Sequence, residues 1–307
     1  MTVPPRPSPR PRRSGVGWWL AGCGCLAVTG ALVLGLVVLG VVVTRLPSGD
    51  GGGTPPGSAQ SPQAGSTAAP GVAEQLVLFE AERERFYALA AVLDGNPVKP
   101  LVTDFDAFQR LEKRAGQPNL GSFSAQTLVQ QAARQRQQLQ RRIAAAEKRR
   151  VNRSGSLTEG IVDRAGDGFI DIRWDAASAC GASEREGWRT SGCITKGDSL
   201  TVHLLREREF GGDWDRRMIV VHELAHIYQR ADRQRYDARR GRVDRLLAKG
   251  LFQGSEEKMA DCYALTYYGE WSLTRGNLEI GYGYVCGRSE RRALRKWAAD
   301  VDAPMPG

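Results

Sequence analysis

Met218-Ile219-Val220-Val221-His222-Glu223-Leu224-Ala225-His226-Ile227-Tyr228 is the most informative stretch of this chain. Its apolar residues suit a buried helix. Residues four apart on a helix share a face, one turn from each other. His222 and His226 can therefore offer two imidazoles to a single metal ion. Glu223 lies beside them, displaced around the helix, where it can take a proton from water. Uncommitted imidazoles on a buried helix would be costly to desolvate, and ligation satisfies them. The chain has only 3 histidines, so the spacing is specific. A catalytic zinc needs a third protein ligand and an open position.

His226 is followed by Ile227-Tyr228-Gln229-Arg230-Ala231-Asp232, with no third histidine at the metzincin spacing. That class is excluded. Glu257-Lys258-Met259-Ala260-Asp261 has the E-x-x-x-D form expected of a helix that supplies a glutamate ligand. Glu257 is the expected third ligand. Asp261, one turn further, can accept the N–H of a ligating imidazole and fix its tautomer. Glu256 is the nearest rival, and the spacing to Asp261 favours Glu257.

Gly254-Ser255 opens the helix predicted over Glu256–Tyr268, with Ser255 as cap and two acids in its first turn. Asp213 can cap a helix running to about Ala231, and a further helical segment covers Arg233–Lys249. Ser199–Leu205 reads as a strand that could offer its edge to an extended peptide. Gly160–Arg164 and Phe169–Trp174 flank Ala165-Gly166-Asp167-Gly168 and read as a hairpin. Before them the spacing predicts helices over Ala73–Leu93, Phe105–Arg114 and Ala125–Arg150. The last carries Arg134, Arg136, Arg141, Arg142, Lys148, Arg149 and Arg150. That face reads as solvated, with anionic wall polymer or lipid headgroups as the alternative. No nucleic-acid partner is expected.

The formal net charge is +9. Arg6, Arg10, Arg12 and Arg13 precede an uncharged run from Ser14 to Thr44, and Arg45 follows it. A bilayer core about 30 Å thick needs roughly 20 helical residues, so residues 16–44 can span it. The flanking arginines put residues 1–15 in the cytoplasm and the rest outside. Leu20-Ala21-Gly22-Cys23 resembles a lipobox, but the apolar run continues to Val43, which favours an uncleaved anchor. Residues 45–72 are a Gly/Pro/Ser-rich linker. Residues 73–152 form a helical region, and residues 153–307 form the domain that carries the metal motif.

Cys180, Cys193, Cys262 and Cys286 then lie where thiols oxidise. Four cysteines allow three pairings, and the sequence does not choose among them. Cys180 and Cys193 would close a short loop worth about 3 kcal/mol.

These motifs resemble the gluzincin, thermolysin-like metallopeptidases. They look closer still to a family of bacterial neutral zinc metallopeptidases anchored by one N-terminal helix. The likeness runs through Ala179-Cys180-Gly181, Cys193, the Ser199–Leu205 strand, His222–His226 and Glu257–Ala264, about residues 179–268. It implies an α+β, zincin-like fold, a small antiparallel sheet with an active-site helix. It also implies hydrolysis of a peptide or protein substrate by a zinc-activated water, with Glu223 as the base. Relatives of this kind add a His and a Tyr as transition-state donors. The candidates here are His203, Tyr282 and Tyr284. The competing expectation is a non-catalytic, zinc-stabilised module that binds wall polymer or a protein partner. A fourth protein ligand, with Cys262 as the thiolate to consider, would mark it.

Overall fold

The computed structural model describes residues 71–150, 154–181, 188–236 and 241–306. The expected membrane span and linker lie outside these residues. Among the described residues no helix is long and apolar enough to cross a membrane.

The chain enters as α1 (Val72–Ala91), α2 (Lys99–Thr103), α3 (Phe105–Ala115) and α4 (Ser122–Arg149). Aromatic rings fasten the first of these together. Phe86 stacks on Phe108 at 3.9 Å and meets Phe105 edge-on at 6.0 Å. Helix α4 lies along α1, where Arg136 bonds the buried Glu82 at 2.6 Å. On the basic face at residues 134–150, Arg134, Arg141, Lys148 and Arg150 are exposed, and some of its residues also bond neighbouring elements. Arg142 donates to the Val102 carbonyl, Arg149 donates to the Gly168 carbonyl at 2.8 Å, and Arg150 pairs with Asp167 at 3.1 Å.

The expected hairpin at 160–174 is not formed. Its first half is α5 (Leu157–Gly166), a helix that buries Ile161, Val162 and Ala165. Ser156 caps it by accepting from Thr158 N–H, and Asp167 ends it in the left-handed region at φ 53°. The second half is β1 (Asp171–Arg173), which leads through α6 (Ala176–Ala179) to β2 (Gly192–Cys193) and β3 (Thr201–Leu204). The sheet order is β1-β3-β2. It is mixed rather than antiparallel, because β1 runs parallel to β3 and β2 antiparallel to it. A parallel pair needs a crossover instead of a tight turn, and the chain between β1 and β3 passes through α6 and β2. The expected strand at 199–205 is therefore the central strand, and its edges are taken by β1 and β2.

Helix α7 (Asp213–Tyr236) follows, five residues longer than expected at its C-terminus. Ile219-Val220-Val221 would weaken an isolated helix, since β-branched side chains lose rotamer freedom there. Burial overrides this: Val220, Val221, Leu224, Ala225, Ile227 and Tyr228 are all in the core. Its last turns are held by buried Asp232, which accepts from Val243 N–H at 2.6 Å and Trp297 Nε1–H at 3.2 Å. These bonds tie α7 to α8 (Arg242–Ala248) and, later in the chain, to the final helix.

Helix α9 (Glu256–Tyr268) starts at Ser255, whose hydroxyl accepts from Lys258 N–H, and stops at Gly269 with φ 67°. It packs along α7. A two-stranded ribbon of β4 (Thr274–Arg275) and β5 (Leu278–Glu279) and helix α10 (Arg288–Asp300) complete the chain. One hydrophobic core runs from Phe79 to Ala303 through all of these elements. The fold is helix-rich α+β. The cysteines pair as Cys180–Cys193 and Cys262–Cys286.

Candidate metal centre

Adjacent turns of α7 carry His222 and His226, and the first turn of α9 carries Glu257. Packing α9 along α7 brings them together. His222 Nε2 lies 3.2 Å from Glu257 Oε2, His226 Nε2 lies 3.1 Å from the same oxygen, and the two Nε2 atoms are 3.2 Å apart. Among the described residues this is the cluster able to hold a metal ion. Glu256, the rival ligand, is engaged elsewhere, with Arg233 at 3.0 Å.

Behind this triangle both imidazoles are anchored. His222 Nδ1 faces Asp261 Oδ1 at 2.9 Å, as the spacing predicts. His226 Nδ1 faces Gln229 Oε1 at 2.9 Å. Gln229 is fully buried, and its amide nitrogen donates to Glu256 O at 3.1 Å, which fixes the way the amide points. Gln229 was not read from the sequence, although its place three residues after His226 on one helix face is a signal for it.

With both Nδ1 atoms donating, both Nε2 atoms present lone pairs. Three electron-rich atoms then converge with no positive charge between them, and close approach requires a cation or a proton there. The electrostatics of these same contacts run in the same direction. Burial disfavours charged His222, yet the bonds to Asp261 and Glu257 outweigh it and push its pKa well above the ordinary value. Burial also pushes the Glu257 carboxyl up, but the two imidazoles overrule it and hold it far below the usual carboxylate range. A divalent cation would replace the proton.

No family model, no curated protein and no solved structure matches this chain.

Glu223 is buried beside the triangle, and desolvation raises its pKa despite the neighbouring imidazoles. It also touches the sheet. A Cβ at Gly192 would stand 3.0 Å from Glu223 Cγ and Oε1, so only glycine fits there without moving the carboxylate. No sequence pattern marked Gly192, because a two-residue strand is too short to show one.

The sheet also decides the fate of His203. Gly192 pairs with Leu204, and the Cβ direction at Gly192 points toward both Glu223 and the Leu204 side chain. Alternate residues on a strand point to opposite faces. His203, paired with Cys193, therefore points away from α7, where its Nδ1 meets Asp175 at 2.7 Å. It is not at the metal centre. Tyr284 is not there either: its hydroxyl bonds both Glu290 oxygens at 2.6 and 2.7 Å, at the start of α10.

Tyr282 is at the centre. Its ring lies 6.1 Å from the His222 ring at an angle of 17°. Burial and the Glu257 and Glu223 charges push its pKa up to about 12, so it remains a donor. Its backbone N–H donates to Asp261 Oδ2 at 2.7 Å. The preceding Gly281, at φ 67°, allows this approach. Asp261 is thus gripped from two sides, by an imidazole and by the 280–286 loop. The Cys262–Cys286 disulfide holds that loop to α9. It also removes the Cys262 thiolate as a fourth ligand.

Proposed function

We propose that this chain is a zinc metallopeptidase of the glutamate-ligand class. In this reading it is zincin-like, and one N-terminal helix anchors it outside the bacterial membrane. The observation that carries the proposal is the triangle of His222, His226 and Glu257, with acceptor atoms 3.1 to 3.2 Å apart. A four-coordinate zinc with bonds of about 2.0–2.1 Å keeps its ligand atoms about 3.3–3.4 Å apart. Two imidazoles and one carboxylate are a zinc donor set that leaves a position open. The resemblance at residues 179–268 supports the same class.

When bound, zinc polarises the scissile carbonyl and brings the pKa of its water toward neutrality. The chain's own groups supply the remaining chemistry. Glu223 takes the proton of the attacking water and delivers it to the leaving amine, and desolvation tunes its basicity toward that exchange. Tyr282 offers its phenol hydrogen where negative charge develops on the carbonyl oxygen. Asp261 and Gln229 keep both imidazoles oriented. The substrate chain pairs as an added strand along the outer edge of β2, beside Glu223.

The test uses the purified full-length protein. Wild type is expected to hold one zinc per chain and to hydrolyse a peptide library in a chelator-sensitive way. Glu223→Gln should keep the zinc and lose the hydrolysis. A fully zinc-loaded wild type that cleaves no more than Glu223→Gln overturns the reading.

A further inference from the structure

Arg230 shares a face of α7 with the site and has no part in the chemistry above. It lies four residues after His226 and seven after Glu223, so the three side chains share a helix face. It is half-buried. Its guanidinium donates to the Ile194 carbonyl at 2.8 Å and the Thr195 carbonyl at 2.7 Å. These are the two residues that directly follow β2. Arg230 therefore joins the end of the edge strand to the active helix.

Its partners are neutral. Among the described residues no carboxylate is within ion-pair reach of Arg230. Glu256, the other nearby acid, is bound to Arg233. Two carbonyls use two of the five guanidinium N–H donors. Half-burying a cation without a counter-ion is costly, and a neutral amide could bridge the same carbonyls without that cost. Burial lowers the Arg230 pKa, and the nearby Glu256 and Glu223 charges offset it only in part.

We infer that Arg230 reads a substrate carboxylate, so the preferred substrates are peptides with an acidic side chain or a free C-terminal carboxylate placed where β2 ends beside α7. The inference rests on the peptidase reading. A charge-assisted hydrogen bond between fixed partners discriminates by roughly 10- to 100-fold.

The test is binding, so it does not depend on turnover. Zinc-loaded full-length protein is titrated with dipeptide hydroxamates that differ only in Glu against Gln. Each is made as the C-terminal acid and as the amide, which separates the two carboxylate sources. One acidic form is expected to bind 10- to 100-fold more tightly than its neutral partner. Arg230→Gln should abolish that ratio and Arg230→Lys should restore most of it. A purely structural arginine would weaken all four probes alike and leave the ratio intact. Wild type supplies a variant-free check, because the ratio should shrink as salt rises. Equal binding of acidic and neutral probes overturns the inference and leaves the peptidase reading standing. If no hydroxamate binds the zinc-loaded protein, both fail together.

Discussion

Gly281→Ala is expected to weaken zinc binding by roughly 10- to 100-fold, the usual size of losing a bond that orients a ligand. A Cβ at this position would stand 2.3 Å from Asp261 Oδ1 and 2.7 Å from its Cγ. Carbon and oxygen settle at about 3.3 Å or more, so the carboxylate must retreat by about 1 Å. Oδ1 is the atom that receives His222 Nδ1–H at 2.9 Å. After that retreat the separation exceeds hydrogen-bond range. The bond from Tyr282 N–H to Oδ2, now 2.7 Å, is disturbed by the same movement. Placing an L-residue at φ 67° adds about 1–2 kcal/mol to the cost of folding. The assay is a competition titration of zinc against a chromogenic chelator, with melting of the metal-free proteins measured in parallel. Gly192→Ala is the matched control. Its Cβ would press on Glu223 at 3.0 Å without touching a ligand, so it should slow hydrolysis and spare zinc affinity. A Gly281→Ala protein that binds zinc as tightly as wild type refutes the clamp on Asp261.

Tyr282→Phe should retain zinc while kcat falls by roughly 100- to 1000-fold, as when one transition-state donor is removed; steady-state kinetics on a cleaved peptide measures it. The metal-free protein should lose stability as pH rises above about 6.5, because the His222 pKa is raised and its contribution is present only while it holds a proton. The depressed Glu257 pKa works the other way, contributing above about 4.3 and vanishing only as pH falls through its folded value. Melting temperature against pH should therefore peak under mildly acidic conditions without zinc, whereas with zinc bound acidification should destabilise the protein. Reducing the two disulfides should cost about 3 kcal/mol each by loop closure; denaturant melts with and without reductant test this.

What the sequence revealed follows from how local each signal is. Helix α9 could be read to the residue because Ser255 is a cap and Glu256 and Glu257 form its first turn. His222 with His226, and Glu257 with Asp261, were legible because helical spacing sets each pair, whereas the meeting of the two pairs depends on the packing of α9 along α7. The misread hairpin shows two local signals in conflict. Ser156-Leu157-Thr158-Glu159 is a capping-box pattern for a helix, yet the short run at Ile161-Val162 also suits a strand. Tyr282 could not be chosen over Tyr284, since Gly281 and the Cys262–Cys286 link direct that loop and neither pattern orders it. His203 depended on strand facing, which follows from the pairing of β3 with β2 and not from β3 itself. Gly192 and Arg230 became meaningful only once α7 and the sheet edge were in contact.

The most direct test of the central claim is zinc-edge X-ray absorption on the full-length protein loaded with zinc. The expected spectrum shows two imidazole nitrogens, one carboxylate oxygen and one further light ligand, with no sulfur. In Glu257→Ala the carboxylate contribution should disappear and zinc should bind more weakly. A sulfur ligand, or a zinc site unchanged by Glu257→Ala, would contradict the assignment of His222, His226 and Glu257 as the metal triad.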